Sequence, residues 1–304
     1  MRLRTLAPGK VNLCLYLGGK RADGRHDLVT LFQPVSLADD VVLETVDGAG
    51  ADVVVCPGVE GQNIADRALG ELRANGWDGP RVRIEIRKRI PVAAGMAGGS
   101  ADAAAVLRLA AALSPLPSTG FALEIARALG ADVASQLEPG PLLGTGAGDV
   151  VAAVPPRGPH AAVILPATEP LSTAAVFAEA DRLGLARSEA ELEQCRRELD
   201  AALRSGPELA AELLVNDLEP AARSLCPAID RGLAGAREIG ADVALVCGSG
   251  PTVAGIFWGA DAGERARAAA AAAARRFPAA VAVMPVDAGF AVVRDATCQP
   301  RPAQ

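Results

Sequence analysis

Of the 30 basic residues in this 304-residue chain only three are lysines: Lys10, Lys20 and Lys88. Arginine serves wherever a solvated positive charge is enough, so a retained lysine points to a need for a compact ammonium. Lys10, in the tight setting APGKVNL, is the one whose retention suggests chemistry, whereas Lys20 and Lys88 read as ordinary survivors. A second concentration of chemical potential is IPVAAGMAGGSADAAAVL at 90–107, where Gly95, Gly98 and Gly99 make a turn that ends in Ser100 and opens a helix. A helix N-terminus leaves unpaired N–H groups and a partial positive charge. Glycines before it let the backbone close on an anion such as a nucleotide phosphate. Ser100 could add a hydroxyl to a phosphate or to its magnesium. The stretch is neither a Walker A loop, lacking Lys-Ser or Lys-Thr after its last glycine, nor G-x-G-x-x-G. Small residues for tight helix packing are the other explanation. A second glycine cluster, CGSGPT at 247–252 between two apolar runs, offers a further concave set of amide donors and favours the anion site. The third element is Asp132 in LGADV, either a turn or capping aspartate or a carboxylate directed at a substrate hydroxyl. Phosphate cradle, positive charge, magnesium and a base together are the inventory of phosphoryl transfer.

Composition removes several competitors. With His26 and His160 as the only histidines, and with six cysteines (Cys14, Cys56, Cys195, Cys226, Cys247, Cys298) in no C-x-x-C pair, a zinc site has little support. The cysteines read as free thiols. A Ser-His-Asp hydrolase lacks a G-x-S-x-G elbow. A net charge of -6 argues against a broad nucleic-acid footprint. The N-terminus carries no signal-peptide run, and no stretch reaches the roughly 18 apolar residues of a membrane span. The expectation is a soluble, cytoplasmic protein with no membrane partner, half of whose residues are apolar and can build a core without disulfides.

The elements that must position these residues are mixed. Thr5–Leu17, Asp40–Thr45 and Val82–Ile86 read as strands, with a polar turn at Gly18–Gly24. Asn63–Ala74, Asp102–Leu113 and Phe121–Leu129 read as helices, the last two separated by SPLPSTG. PPRGPH at 155–160 is the best domain boundary. Beyond it, Ala161–Leu165, Val243–Cys247 and Val253–Phe257 read as strands, and Thr173–Leu183 and Glu189–Leu203 as helices. ERARAAAAAAARRF is a strong helix ended by Pro278, and VAVMPV and GFAVV look like closing strands. The pattern predicts two α+β layers side by side.

The ordered set PGKVNL, PVAAGMAGGSADAA, GADV and CGSGPTVAGIF, across residues 5–258, resembles the GHMP small-molecule kinases. The fuller block KVNLCLYLGGKRADGRHDLVTLFQPVSLADDV is similar to the branch that uses ATP to phosphorylate the 2-hydroxyl of a cytidyl polyol in the non-mevalonate isoprenoid pathway. The resemblance implies a two-domain α+β architecture with the active site between the domains: 1–155 carrying the ATP loop, 156–295 on the substrate side, and a loose tail at 296–304. It implies Lys10 and Asp132 as the catalytic pair. It places Pro91, Val92, Ala93, Ala94, Gly95, Met96, Ala97, Gly98, Gly99, Ser100 and Ala101 on the ATP loop, with Asn63 near the adenine. Asn12, Arg25, His26, Thr173 and Phe177, with Gly248, Ser249 and Gly250 of the GSGPT loop, fall on substrate-contacting positions. SLADD and NDLE at 216–219 also fit. ATP, with magnesium as its complex, is the implied cofactor. The chain departs from the family at Arg25, where D-G-Y-H is usual and an aromatic on the cytosine is lost, at Gly9 in place of alanine, and at Ala97 and Ala101 in the loop. A homoserine- or mevalonate-type kinase and an inactive nucleotide-binding module are the competing assignments; the R-A-D-G-x-H block argues against the former and the joint presence of Lys10 and Asp132 against the latter.

Overall fold

The first forty-five residues are almost entirely one β-hairpin. In the computed structural model, which describes residues 1–59, 61, 63–167 and 169–296, β1 (Arg2–Lys20) pairs antiparallel with β2 (His26–Thr45). β2 is a correction: the residues between the expected turn and Asp40 continue the strand, because His26–Asp39 find a full-length partner in β1. In β1, burial alternates over Arg2–Leu6 and becomes continuous from Ala7 to Leu17. The alternating part faces solvent on one side, and the rest is covered on both. Register shifts fall between Pro8 and Lys10 and between Asn12 and Cys14. Such bulges re-aim the side chains beside them.

β3 (Val53–Val55), α1 (Ile64–Ala74) and β4 (Val82–Arg87) follow. Asn63 caps α1, its Oδ1 accepting from Ala65 N at 2.9 Å. α2 (Gly98–Leu113), α3 (Phe121–Leu129) and α4 (Ala131–Ser135) lead to the hairpin β5 (Leu142–Thr145) and β6 (Val150–Ala153). The inner half of α2 is alanine-rich and wholly buried, which lets it lie close on the sheet with α1.

The second half contains β7 (His160–Leu165), α5 (Thr173–Leu183), α6 (Glu189–Ser205), α7 (Glu219–Leu225), α8 (Ala228–Glu238), β8 (Val243–Val246), β9 (Val253–Trp258), α9 (Ala262–Ala273), β10 (Val281–Val283) and β11 (Arg294–Asp295). Among the described residues, β7–β10 form an antiparallel sheet ordered β10-β7-β9-β8. β1–β6 and β11 form the other sheet, in which β4 pairs the C-terminal half of β2 and β5 its N-terminal half. Two expectations change here. GFAVV is a 3₁₀ turn at Ala288–Ala291, because the Asp287 side chain accepts from Gly289 N and Ala291 O accepts from the Thr5 hydroxyl. The alanine-rich helix stops at Ala273, and Phe277 N turns back onto Ala273 O. The chain returns to the first sheet at Arg294–Asp295, which pair with Arg4 and Leu3 of β1, and Ala296 is buried. Residues 297–304 of the expected tail, with Cys298, lie outside the described residues.

A core cluster joins the two sheets, with Val11, Leu13, Tyr16 and Leu31 of the hairpin packing against Ile164, Leu245 and Ile256. The hairpin thus belongs to both layers, and the bulged segment holding Lys10 and Asn12 lies at their junction. Cys14, Cys226 and Cys247 are buried free thiols, and burial pushes Cys14 and Cys247 up to about 12. No helix among the described residues is long and apolar enough to cross a membrane.

Candidate active site

A cleft of about 560 Å³ opens where β1, the mouth of α2, α4, α5 and the 247–252 loop converge. Lys10 enters it from β1. Its Nζ donates to Asn12 Oδ1 at 2.7 Å and to Gly95 O at 3.4 Å, and lies 5.5 Å from the centre of the Phe32 ring. Asn12 Nδ2 donates to Thr30 Oγ1, which donates to Cys14 O, each at 2.7 Å. This chain fixes the amide so that its oxygen faces the ammonium. Lys10 N also donates to Met96 O, tying the strand to the loop.

Asp132 reaches the same cleft from the first turn of α4, after Gly130. Among the described residues its carboxylate accepts no hydrogen bond and forms no ion pair with Lys10. A charged donor and a charged acceptor facing one space, not neutralising each other, leave room between them for a reacting hydroxyl.

Pro91, Val92, Ala93, Ala94, Gly95, Ala97, Gly98, Gly99 and Ser100 line the cleft, as does Asn63. Met96 and Ala101 do not: both are buried, Met96 in the core cluster that joins the two sheets and Ala101, within α2, in the core that α2 shares with α1 and the first sheet. Ala93 and Ala97 hold φ near +54°, the left-handed region that alanine rarely adopts. Gly95 has φ +75°, and a Cβ there would overlap the carbonyl of Cys247 and lie 2.9 Å from Gly250 O. The two glycine clusters are thus stacked backbone to backbone. At Gly98 an added Cβ would point inward, 2.9 Å from Ile90 and 3.3 Å from Lys88 Nζ, so this glycine answers a packing demand from the segment that follows strand β4.

Gly248 and Ser249 line the cleft, with Ser249 Oγ 2.9 Å from Thr173 Oγ1. Asn216 of NDLE holds this loop, its Nδ2 donating to Val246 O and Gly248 O. Gly250 is turned away, facing Val246 and Ile229. Phe177 projects into the cleft from α5 and stacks on His26, with centroids 5.2 Å apart. His26 Nε2 and Asp181 Oδ1 are 2.6 Å apart, and this bond, with Lys20 nearby, holds Asp181 below the usual carboxylate range. Arg25 is not brought to the cleft. Asp23 accepts from both its backbone N–H and its guanidinium, Asp149 takes another N–H at 3.2 Å, and the side chain stays exposed on the turn.

Sequence reasoning missed Lys88. Its Nζ donates to Asp39 Oδ2 at 2.5 Å and to Asp102 Oδ2 at 2.6 Å, and Lys88 and Asp102 both line the cleft. Burial pushes Asp102 up to about 7, against the pull of Lys88 and with the repulsion of Asp39. Burial also disfavours the Lys88 charge, but the two carboxylates outweigh it and hold the ammonium above its ordinary value. The scarcity of lysine was the available signal. Thr30, Phe32 and the Ala147–Gly148 turn complete the wall with no signal of their own.

Comparison with known proteins identifies the family. The family model for the GHMP kinases N terminal domain matches residues 63–155, and that for GHMP kinases C terminal matches 192–276. The 4-diphosphocytidyl-2-C-methyl-D-erythritol kinase of Mycolicibacterium gilvum is 43% identical over 264 residues, covering 81% of this chain and 79% of its own. That of Streptomyces coelicolor is 42% identical over 265 residues, covering 84% and 87%. A crystal structure of 4-(cytidine 5'-diphospho)-2C-methyl-D-erythritol kinase superposes with a TM-score of 0.74 at 32% identity, covering 93% of this chain and 99% of that one. A homoserine kinase from Cytophaga hutchinsonii, at 20% identity and TM-score 0.60, shares the fold. The chain belongs to the GHMP kinases, in the family of the 4-diphosphocytidyl-2-C-methyl-D-erythritol kinases.

Proposed function

We propose that the cleft transfers the γ-phosphoryl group of ATP to the 2-hydroxyl of 4-diphosphocytidyl-2-C-methyl-D-erythritol, a step of the non-mevalonate isoprenoid pathway. The observation that carries this reading is the convergence of Lys10, Asp132 and the glycine loop on one cleft whose other end is walled by Phe177, with His26 buried behind it and stacked on its ring. Backbone N–H groups at the mouth of α2 bind the phosphates. Asp132 orients the acceptor hydroxyl and takes its proton as the oxygen attacks. Lys10, held by Asn12, stabilises the charge that spreads over the transferring group's oxygens. The cytosine lies against Phe177, and His26 meets its edge. Magnesium would arrive with the nucleotide and neutralise phosphate charge, with the Ser100 hydroxyl as the protein group placed to meet it.

Two domains are part of this reading, divided at 155–160 where β6 gives way to β7, with the β11 segment rejoining the first. So is a cytoplasmic location. A coupled ADP-release assay against the cytidyl polyol, homoserine and mevalonate tests the reading. ADP release with the cytidyl polyol alone is expected, and release with either rival in its place overturns it.

A further inference from the structure

We infer that Lys88 is a second nucleotide-contacting lysine, whose ammonium hydrogen-bonds the polyphosphate of ATP beneath the first turn of α2. The inference rests on the kinase reading above and deepens it. An ammonium carries three N–H donors. Two are committed to Asp39 Oδ2 and Asp102 Oδ2, and among the described residues no acceptor takes the third. Asp39 is pinned in turn, wholly buried, with Oδ1 accepting from Arg89 N at 2.5 Å and Ile90 N at 2.9 Å. The carboxylates therefore aim the remaining N–H as well as neutralise the charge.

The direction left open is the cleft. Lys88 lines it beside Gly98, Gly99 and Ser100, and its side chain keeps 14% exposure. The space that a Cβ on Gly98 would fill lies 3.3 Å from Nζ, so the ammonium sits against the first residue of α2. Backbone N–H groups and the helix dipole already favour an anion at that point. The choice of residue agrees. A guanidinium presents all its donors in one plane and suits bridging carboxylates, whereas an ammonium can hold two carboxylates and still donate out of their plane. In a chain that uses arginine for nearly every other cation, lysine stands where a third direction is needed.

The test is calorimetric binding of ADP and of adenosine to the full chain, wild type and Lys88→Met. A charge-assisted hydrogen bond to phosphate predicts about 10- to 150-fold weaker ADP binding, with adenosine affinity and the KM for the cytidyl polyol unchanged. Lys88→Arg should not restore ADP binding. Because Lys88→Met leaves two buried carboxylates unpaired, the same comparison is made in an Asp39→Asn, Asp102→Asn background, with and without Lys88. ADP affinity unchanged, or ADP and adenosine weakened alike, overturns the inference. Loss of the fold in both backgrounds marks Lys88 as a structural tie and overturns it too. If the wild-type chain binds no ADP, the kinase reading itself falls.

Discussion

Replacing Gly95 with alanine probes the junction on which the catalytic geometry depends. Gly95 sits at φ +75°, where an L side chain costs about 1–2 kcal/mol. Its new Cβ would overlap Cys247 O and lie 2.9 Å and 3.0 Å from Gly250 O and N. All three neighbours are backbone, so no flexible side chain can yield. The loops must part by roughly 1 Å to regain ordinary contact distances, an overpacking cost of about 1–3 kcal/mol. The sum, about 2–5 kcal/mol, lowers the melting temperature by roughly 4–20 °C in a chain of this size. The same movement draws Gly95 O away from Lys10 Nζ, now 3.4 Å apart, and shifts the amides that face the phosphates. A misplacement of about 1 Å costs on the order of 10²-fold in turnover. Steady-state kinetics below the variant's melting point, beside a thermal melt, measure both effects. A Gly95→Ala protein that melts with wild type and turns over within a few-fold of it would refute the argument, because the two loops could not then be in register-determining contact.

Asp132→Asn should lower turnover by about 10²–10⁴-fold with little change in ATP affinity, read from kcat beside nucleotide binding; near-wild-type turnover would return Asp132 to a turn residue. Phe177→Ala should weaken binding of the cytidyl polyol by an amount matching about 1–3 kcal/mol of base stacking, measured by titration together with a melt, and a variant that melts early yet binds normally would make Phe177 a core residue that only packs on His26. His160 packs at a tilt on Trp258, its Nε2 is buried without a partner among the described residues, and burial lowers it from its ordinary 6.5. The unfolded chain therefore takes up a proton that the folded ring refuses, so this contribution to stability is lost as pH falls below about 6.5. In urea unfolding at about pH 5.5 and pH 7.5, His160→Phe should lose less stability on acidification than wild type; an equal loss would refute it.

What the sequence determined by itself are the features that local chemistry demands. The glycine turn before an alanine-rich helix was legible because phosphate-binding loops need close backbone approach, and Lys10 because lysine is scarce. Asp132 followed from its glycine-preceded turn and the family pattern, and the strands and helices around them from periodicity. What the tertiary structure decided are choices among distant partners. Lys88 and Lys20 look alike in the sequence, yet one is folded beneath α2 between Asp39 and Asp102 and the other pairs with Asp181 at the surface. Gly98 reads as a phosphate glycine, but its missing Cβ makes room for Ile90 and Lys88. Arg25 inherits a base-facing position from the family, but Asp23 and the distant Asp149 hold it on the turn. Periodicity and composition act over a few residues along the chain. An ion-pair partner is set by which strands and loops pack together, and the charge on a side chain is the same wherever the fold carries it.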